Sequence, residues 1–219
     1  MGKTLIAVPC MDEVPSLFCN SLATLNKEGD TVLAMEMSSL IYHSRNHLVG
    51  KAIQLDAEYM LWLDSDMVFQ PDLLVGMMST MKTHGLDILT GVYFRRVSPY
   101  TPVLLDKLEI DGKRVESTNI KEIPEGLFEV AACGFGCVLM KTDVVFDVLA
   151  KFGPPFDPIH GVGEDLSFCW RARQCGYKIY ADPSIWLGHG GKVTIDSKFY
   201  NSYKEIKGVV MLHRTCLHR

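Results

Sequence analysis

Apolar and polar positions in the first half of the chain follow a pattern that predicts strands and helices in turn. Short apolar runs predict buried strands, and apolar residues at helical spacing between them predict amphipathic helices. The predicted strands are Thr4–Pro9, Thr31–Met35, Tyr59–Leu63 and Asp87–Phe94. The predicted helices are Pro15–Lys27, Ile41–Leu55 and Pro71–Thr83. This order predicts an α/β fold of the Rossmann-like kind, with right-handed crossovers and a mostly parallel central sheet.

The second half has a different pattern, with a hairpin and glycine-containing segments. Asp111-Gly112 marks the tight turn of an antiparallel β-hairpin over Pro102–Val115. A strand is predicted over Phe128–Met140, where Gly134 and Gly136 indicate a bulge or a ligand close to the backbone. The remaining predicted elements are a helix over Asp143–Lys151 capped by Thr142, a helix over Glu164–Cys175 and a strand over Tyr177–Tyr180. One domain, with helices flanking the sheet, is the simplest account.

The composition is ordinary for a globular enzyme, with 47% hydrophobic and 22% charged residues among 219. No apolar stretch is long enough to form a transmembrane segment. Seven cysteines form no Cys-x-x-Cys pair, which favours reduced thiols and predicts a cytoplasmic location. The net charge of −4 disfavours nucleic acid as a partner, although it stays open as an acceptor. Arg95, Arg96, Lys113 and Arg114 are interpreted as the solvated rim of the hairpin, and the oligomeric state is left open.

Asp64-Ser65-Asp66 directly follows the apolar run that predicts the third strand. Alternate side chains of an extended chain share a side, so Asp64 and Asp66 are expected to point the same way. Ligands of open α/β sheets bind at the carboxyl ends of the strands, and paired carboxylates suit Mg²⁺ or Mn²⁺ with a phosphorylated ligand. A simple turn is the competing interpretation, because Asp and Ser are common in turns.

Gly163-Glu164-Asp165 opens a predicted helix after a loop that is rich in Gly and Pro. Acidic residues in the first turn of a helix interact favourably with the helix dipole, and this interaction alone would explain the presence of either acid. Two acids after Gly161-Val162-Gly163 instead favour a loop that brings a carboxylate to a substrate. Such a carboxylate could accept a proton from an attacking hydroxyl as a general base.

His189 and Arg45 are two further candidates. His189 lies in Gly188-His189-Gly190-Gly191, where glycines allow close approach of a ligand. An imidazole added to two carboxylates is a plausible Mn²⁺ site, although a lone His usually has no metal role. Ser44-Arg45-Asn46, at the start of the second helix, supplies a guanidinium suited to phosphate or a nucleobase carbonyl. An exposed helix charge explains Arg45 equally well.

Taken in order, these segments resemble the GT-A glycosyltransferases, most closely their broad family-2-like group. The resemblance runs from about residue 4 to 191. Its landmarks are Val8-Pro9, Ser44-Arg45-Asn46, Asp64-Ser65-Asp66, Gly134-Phe135-Gly136, Gly163-Glu164-Asp165 and Gly188-His189. No single landmark is specific, but their joint order and spacing are. The resemblance implies one GT-A domain over 1–219, with a nucleotide-binding half at 1–100, an acceptor and catalytic half at 101–195 and a C-terminal tail at 196–219.

The resemblance also implies an activity and a site. The enzyme would move a sugar from a nucleotide-diphosphate donor, by family habit a UDP-sugar, to a hydroxyl of an unknown acceptor. Asp66 and His189 would hold Mn²⁺ or Mg²⁺, with Asp64 as a water-mediated or ribose partner of this metal site. Asp165 would be the base of an inverting reaction, and Glu164 would contact the acceptor or the donor sugar. The other implied donor-binding residues are Pro9, Cys10, Met11, Arg45, Ser65, Gly134 and Gly136.

Other functions stay open at this level. A nucleotidyltransferase would use a metal ion at such a site in the same way. Nucleotidyltransferases, however, usually carry a glycine-rich basic loop where this chain has Cys10-Met11-Asp12-Glu13. A non-catalytic sugar-nucleotide-binding protein is disfavoured, because Asp64, Asp66, Asp165 and His189 are present together. Retaining chemistry is open as well, since some retaining relatives carry a similar acidic segment without using a base.

Overall fold

The computed structural model describes residues 2–27 and 29–191. The predicted tail at 196–219 and the last residues of the predicted acceptor half lie outside the described residues, and the division at residue 100 stays a prediction. The described strands are β1 (Thr4–Cys10), β2 (Thr31–Met37), β3 (Tyr59–Leu63), β4 (Met67–Val68), β5 (Ile88–Val92), β6 (Leu104–Asp111), β7 (Arg114–Asn119), β8 (Phe128–Val130), β9 (Ala132–Cys133), β10 (Cys137–Lys141), β11 (Ile179–Trp186) and β12 (Gly188–His189). The described helices are α1 (Ser16–Thr24), α2 (Ile41–Leu55), α3 (Leu73–His84), α4 (Thr142–Phe152) and α5 (Glu164–Gln174). Over these same ranges, every helix is too short or too polar to cross a membrane.

A seven-stranded sheet forms the centre of the protein, in the order β2-β1-β3-β10-β5-β11-β8. β1 pairs in parallel with β2 and β3, and β5 pairs in parallel with β11. β10 is inserted antiparallel between β3 and β5, and β8 lies antiparallel at the edge. The predicted α/β class with a mostly parallel central sheet is therefore confirmed. Because the parallel strands point the same way, their carboxyl ends meet at one edge of the sheet.

Helices cover both faces of this sheet because its central strands are apolar on both sides. Along β3, Met60 and Trp62 belong to one core cluster, whereas Leu61 and Leu63 belong to the other. Residues of α2, α4 and α5 complete the first cluster, and residues of α1 and α3 complete the second. Each large apolar side chain that is fully buried in this way contributes roughly 1.5–3 kcal/mol. The strand ends that carry the site are thus anchored in a core that is packed from both sides.

Two small sheets accompany the central one. β6 and β7 form the expected antiparallel hairpin, and β9 pairs with β6. The two-residue hairpin loop is Gly112–Lys113, one residue later than predicted, and Gly112 has a φ of 55° that favours glycine. In the second small sheet, β12 pairs antiparallel with β4, which sets His189 opposite Met67. This pairing brings a residue from the end of the described chain to the turn that contains the acidic pair.

Several predicted boundaries are wrong. Phe128–Met140 is three strands in two sheets, because the chain leaves the central sheet to pair as β9 with β6 and then returns as β10. Thr142 does not cap α4, since Lys141 holds the N-cap position and the buried Thr142 hydroxyl has no hydrogen-bond partner among the described residues. α3 begins at Leu73, so Pro71 lies in the preceding turn.

Candidate functional site

The carboxyl ends of four parallel strands open onto a cleft of about 560 Å³. The chain enters this cleft at Pro9–Met11 from β1, at Ser38–Ser39 after β2, at Asp64–Asp66 after β3 and at Arg95–Arg96 beyond β5. α5 adds its first two residues, Glu164–Asp165. The volume lies in the range of small-molecule and cofactor sites. The sheet therefore gathers polar groups from distant parts of the sequence around one cavity.

This cleft is lined by all but one of the site residues predicted from the sequence. The lining residues among them are Pro9, Cys10, Met11, Arg45, Asp64, Ser65, Asp66, Gly134, Glu164, Asp165 and His189. Gly136 is the exception, because it packs beneath the ring of Tyr93. The individual roles of these residues stay predictions.

Asp64-Ser65-Asp66 forms a turn between β3 and β4, not an extended segment. The alternation argument therefore does not hold here, and the two acids have different partners. Asp64 Oδ1 lies 2.8 Å from Nη2 of Arg45, whereas Asp66 Oδ2 lies 2.7 Å from Nη1 of Arg96. Both acids still border the cleft, each with a guanidinium that neutralises its charge.

His189 presents one ring nitrogen to Asp66. Its Nε2 lies 3.6 Å from Asp66 Oδ2, and its Nδ1 lies 2.8 Å from the carbonyl oxygen of Phe94. A carbonyl oxygen can only accept a hydrogen bond, so Nδ1 carries the proton and donates this hydrogen bond. In the neutral ring, Nε2 then keeps a lone pair. The ring of Tyr93 packs edge-on against the imidazole at 5.4 Å. Backbone and ring together orient His189 in the way that metal-ligating histidines are oriented.

Asp66 and His189 each stabilise the charged form of the other, so a metal ion at this pair would replace a proton on His189 Nε2. Burial alone would raise the pKa of Asp66, but the contacts with His189 and Arg96 lower it. The contact with Asp66 raises the pKa of His189 despite partial burial. One carboxylate and one imidazole form a donor set that suits Mn²⁺. Residues 2–27 and 29–191 contain no cluster of three or more His, Cys, Asp or Glu side chains able to hold a metal ion. A cation here would need further ligands from phosphate or water, as is common for Mg²⁺.

Arg45 is buried beneath the cleft and joins two of its acidic residues. Its Nη2 lies 2.8 Å from Asp64 Oδ1 and its Nε lies 3.4 Å from Glu164 Oε1. The guanidinium carbon lies 5.1–5.8 Å from three aromatic ring centroids, those of Trp62, Phe135 and Phe156. The side chain is 2% exposed, so it is not the exposed helix charge considered from the sequence. These contacts indicate that Arg45 positions the ends of β3 and α5 relative to each other.

Asp165 has an environment that changes its proton affinity. Gly163 is the N-cap of α5, and Asp165 Oδ1 accepts a hydrogen bond of 2.7 Å from the backbone N–H of Leu166. Burial, followed by the negative charge of Glu164, raises the pKa of Asp165 from 3.8 to about 6. A carboxyl group that borders a cleft and titrates near neutral pH has the properties of a general acid or base.

The glycines at 134 and 136 make room for Tyr93. A Cβ atom on Gly134 would lie 2.3 Å from Tyr93 Oη, and one on Gly136 would lie 2.7 Å from Tyr93 Cζ. The backbone N–H of Gly136 donates a 3.0 Å hydrogen bond to Tyr93 Oη, and burial raises the pKa of Tyr93 well above its usual value. Packing of a neutral tyrosine thus explains both glycines, which the sequence attributed to a bulge or a ligand.

Arg96 lines the cleft, although it is not among the site residues predicted from the sequence. Lys113 and Arg114 do belong to the hairpin, but Arg95 and Arg96 line the cleft, so the interpretation of all four as one solvated rim is wrong. The signal was available, because Arg95 and Arg96 follow the carboxyl end of β5 just as Asp64 follows that of β3. The same positional rule would have found Ser38, which follows β2.

Comparison with known proteins identifies the fold. No family model matches the sequence, and no curated protein matches it either. Among solved structures, A197 from STIV has a TM-score of 0.59 and 18% identity over 90% of this chain and 97% of its own. GalNAc-T7, solved with UDP, GalNAc and Mn²⁺, has a TM-score of 0.60 and 10% identity over 88% of this chain and 44% of its own. The chain therefore has the GT-A fold that the resemblance of its sequence implied. At these identities the likeness shows the fold alone.

Proposed function

We propose that this protein is a metal-dependent glycosyltransferase that moves a sugar from a nucleotide-diphosphate donor, most simply a UDP-sugar, to an acceptor hydroxyl. The observation that carries the proposal is the contact between His189 Nε2 and Asp66 Oδ2 at 3.6 Å, in a cleft at the carboxyl ends of parallel strands. UDP and Mn²⁺ were present in the GalNAc-T7 structure, whose fold is similar. That likeness supports the choice of donor and cation used in the test below.

In this proposal Asp66 and His189 hold Mn²⁺ or Mg²⁺ against the donor diphosphate. A cation held there would supply Lewis-acid stabilisation of the negative charge on the departing nucleotide diphosphate. Asp64, which is paired with Arg45, would contact the ribose or a water ligand of the cation. Pro9–Met11 and Ser65, which line the cleft, are proposed to contact the nucleotide, and Gly134, which also lines it, is proposed to lie near the sugar.

Asp165 is the proposed catalytic base of an inverting reaction. It takes the proton of the acceptor hydroxyl while that oxygen attacks the anomeric carbon of the donor sugar and the bond to the diphosphate breaks. With a pKa of about 6, Asp165 is mostly ionised at pH 7.5 and can accept this proton. Glu164 borders the same cleft and is proposed to contact the acceptor or the donor sugar. Product anomeric configuration, read by NMR, distinguishes inversion from retention.

The test is a screen of UDP-, GDP- and dTDP-sugars with Mn²⁺ and acceptor extracts, with release of the nucleoside diphosphate as the readout. We expect release from at least one donor, and loss of both release and Mn²⁺-dependent UDP binding in Asp66→Ala. Asp106→Ala is the matched control, because Asp106 is an exposed acid on β6 outside the cleft. Absence of release from every donor would overturn the activity, and unchanged UDP binding in Asp66→Ala would remove Asp66 from the metal site.

A further inference from the structure

Arg96 contacts both Asp66 and the chain segment that follows His189. Its Nη1 atom lies 2.7 Å from Asp66 Oδ2 and donates a 3.2 Å hydrogen bond to the carbonyl oxygen of Gly190. The Arg96 side chain is 50% exposed, so it reaches into the cleft from a position open to solvent. A guanidinium therefore lies on the same carboxylate oxygen that faces the Nε2 atom of His189.

The chain after His189 is shaped to admit this guanidinium. The backbone N–H of Gly190 donates a 2.8 Å hydrogen bond to the backbone carbonyl of Asp66. A Cβ atom on Gly190 would lie 2.8 Å from that carbonyl oxygen, and a Cβ atom on Gly191 would lie 3.1 Å from Arg96 Cδ. The two glycines thus bring the backbone against Asp66 on one side and leave space for the stem of Arg96 on the other.

Two cations cannot share this carboxylate oxygen at low cost. A divalent ion held by Asp66 and His189 would stand next to the Arg96 guanidinium, and like charges at such short range repel strongly. Arginine is also a preferred partner of phosphate, which it can bind through two parallel hydrogen bonds. A donor diphosphate in the cleft would give Arg96 a new anion at the moment when Asp66 is needed for the metal.

We propose that Arg96 is an exchangeable counter-cation of Asp66, which pairs with the carboxylate in the free protein and binds the donor diphosphate when metal and nucleotide load together. This inference rests on the proposed function and adds to it a diphosphate-binding residue and an order of loading. Metal alone competes with Arg96 and binds weakly. Metal with UDP does not compete, and by linkage each of the two ligands strengthens the other by the same factor.

The test measures Mn²⁺ binding by EPR of the free ion, and UDP binding by calorimetry, at pH 7.5 and fixed ionic strength. In the wild-type protein, UDP should tighten Mn²⁺ binding at least about tenfold, which is the change in affinity expected from one charge-assisted hydrogen bond. In Arg96→Gln, Mn²⁺ alone should bind about tenfold more tightly, and UDP with saturating Mn²⁺ about tenfold more weakly. The coupling between the two ligands should shrink accordingly.

Two control variants separate this role from bulk charge. Lys113→Gln removes the same charge at the exposed hairpin loop, and its Mn²⁺ affinity should stay that of the wild type. Arg96→Lys keeps the charge beside Asp66 and should not tighten Mn²⁺ binding. Unchanged or weaker binding of Mn²⁺ alone by Arg96→Gln would overturn the Arg96 proposal and leave the proposed function standing. Failure of the wild-type protein to bind UDP, GDP or dTDP in the presence of Mn²⁺ would overturn both.

Discussion

Replacing Asp165 by Asn should stabilise the folded protein at alkaline pH, although under the proposed function it should abolish the proposed sugar transfer. The pKa of Asp165 rises from 3.8 to about 6 on folding, so ionising this group in the folded state costs free energy. The cost is absent below about pH 4, grows as the pH rises through this window, and is complete above about pH 6. The shift corresponds to about 3 kcal/mol. Because Asp165 borders an open cleft, solvent screens part of this cost, and we expect a gain of about 1–2 kcal/mol in Asp165→Asn.

The assay is urea unfolding of both proteins at pH 8 and at pH 4. An Asn side chain keeps an oxygen that can accept the 2.7 Å hydrogen bond from the backbone N–H of Leu166, so the substitution changes charge more than packing. The control is Glu125→Gln, which removes an exposed acid far from α5 in sequence and should change stability at neither pH. Equal stability of wild type and Asp165→Asn at pH 8, or a gain of the same size at pH 4, would refute the reasoning.

Two further substitutions test the packing beneath the cleft by urea unfolding. Arg45→Met leaves Asp64 and Glu164 without their shared guanidinium and should cost about 1–3 kcal/mol, less than a fully buried pair because both acids are partly exposed. The control, Arg114→Met on the exposed hairpin, should cost under about 0.5 kcal/mol. Equal losses of stability in Arg45→Met and Arg114→Met would contradict the positioning role of Arg45. Gly136→Ala should cost roughly 1–3 kcal/mol, because its Cβ atom would lie 2.7 Å from Tyr93 Cζ. The control is Gly50→Ala in α2, where a Cβ atom would meet nothing within 4 Å, so this substitution should stabilise the protein by roughly 0.5–1 kcal/mol. A loss of stability in Gly50→Ala, or no loss of stability in Gly136→Ala, would contradict this packing.

Much of the fold could be predicted from local patterns. The helix Ile41–Leu55 and the strand Tyr59–Leu63 have the predicted bounds. The apolar face of a helix and the short apolar run of a strand buried on both sides can each be recognised from residues that are close in sequence. The split of Phe128–Met140 between two sheets could not be predicted, since it depends on pairing with β3, β5 and β6, which are distant in sequence. Such pairing leaves little local signal.

The candidate site was predictable in its residue types and less so in its contacts. The position of Asp66 at the end of a parallel strand and the glycines around His189 pointed to one cleft. Partners depended on tertiary structure: Arg45 became buried among aromatic rings, and Arg96 arrived from the end of another strand. Charge alone could not distinguish Arg96 from an exposed arginine such as Arg114, because the difference lies in which carboxylate each one meets.

The central claim is that Asp66 and His189 hold one divalent cation together with the donor diphosphate. Pulsed EPR of the Mn²⁺–UDP complex, prepared with ¹⁵N-histidine-labelled protein, tests it most directly. We predict hyperfine coupling of Mn²⁺ to a histidine nitrogen and to phosphorus. The nitrogen coupling should vanish in His189→Gln and persist in His84→Gln, which alters a histidine at the end of α3. A Mn²⁺–UDP complex without nitrogen coupling, or with coupling that survives His189→Gln, would contradict the account.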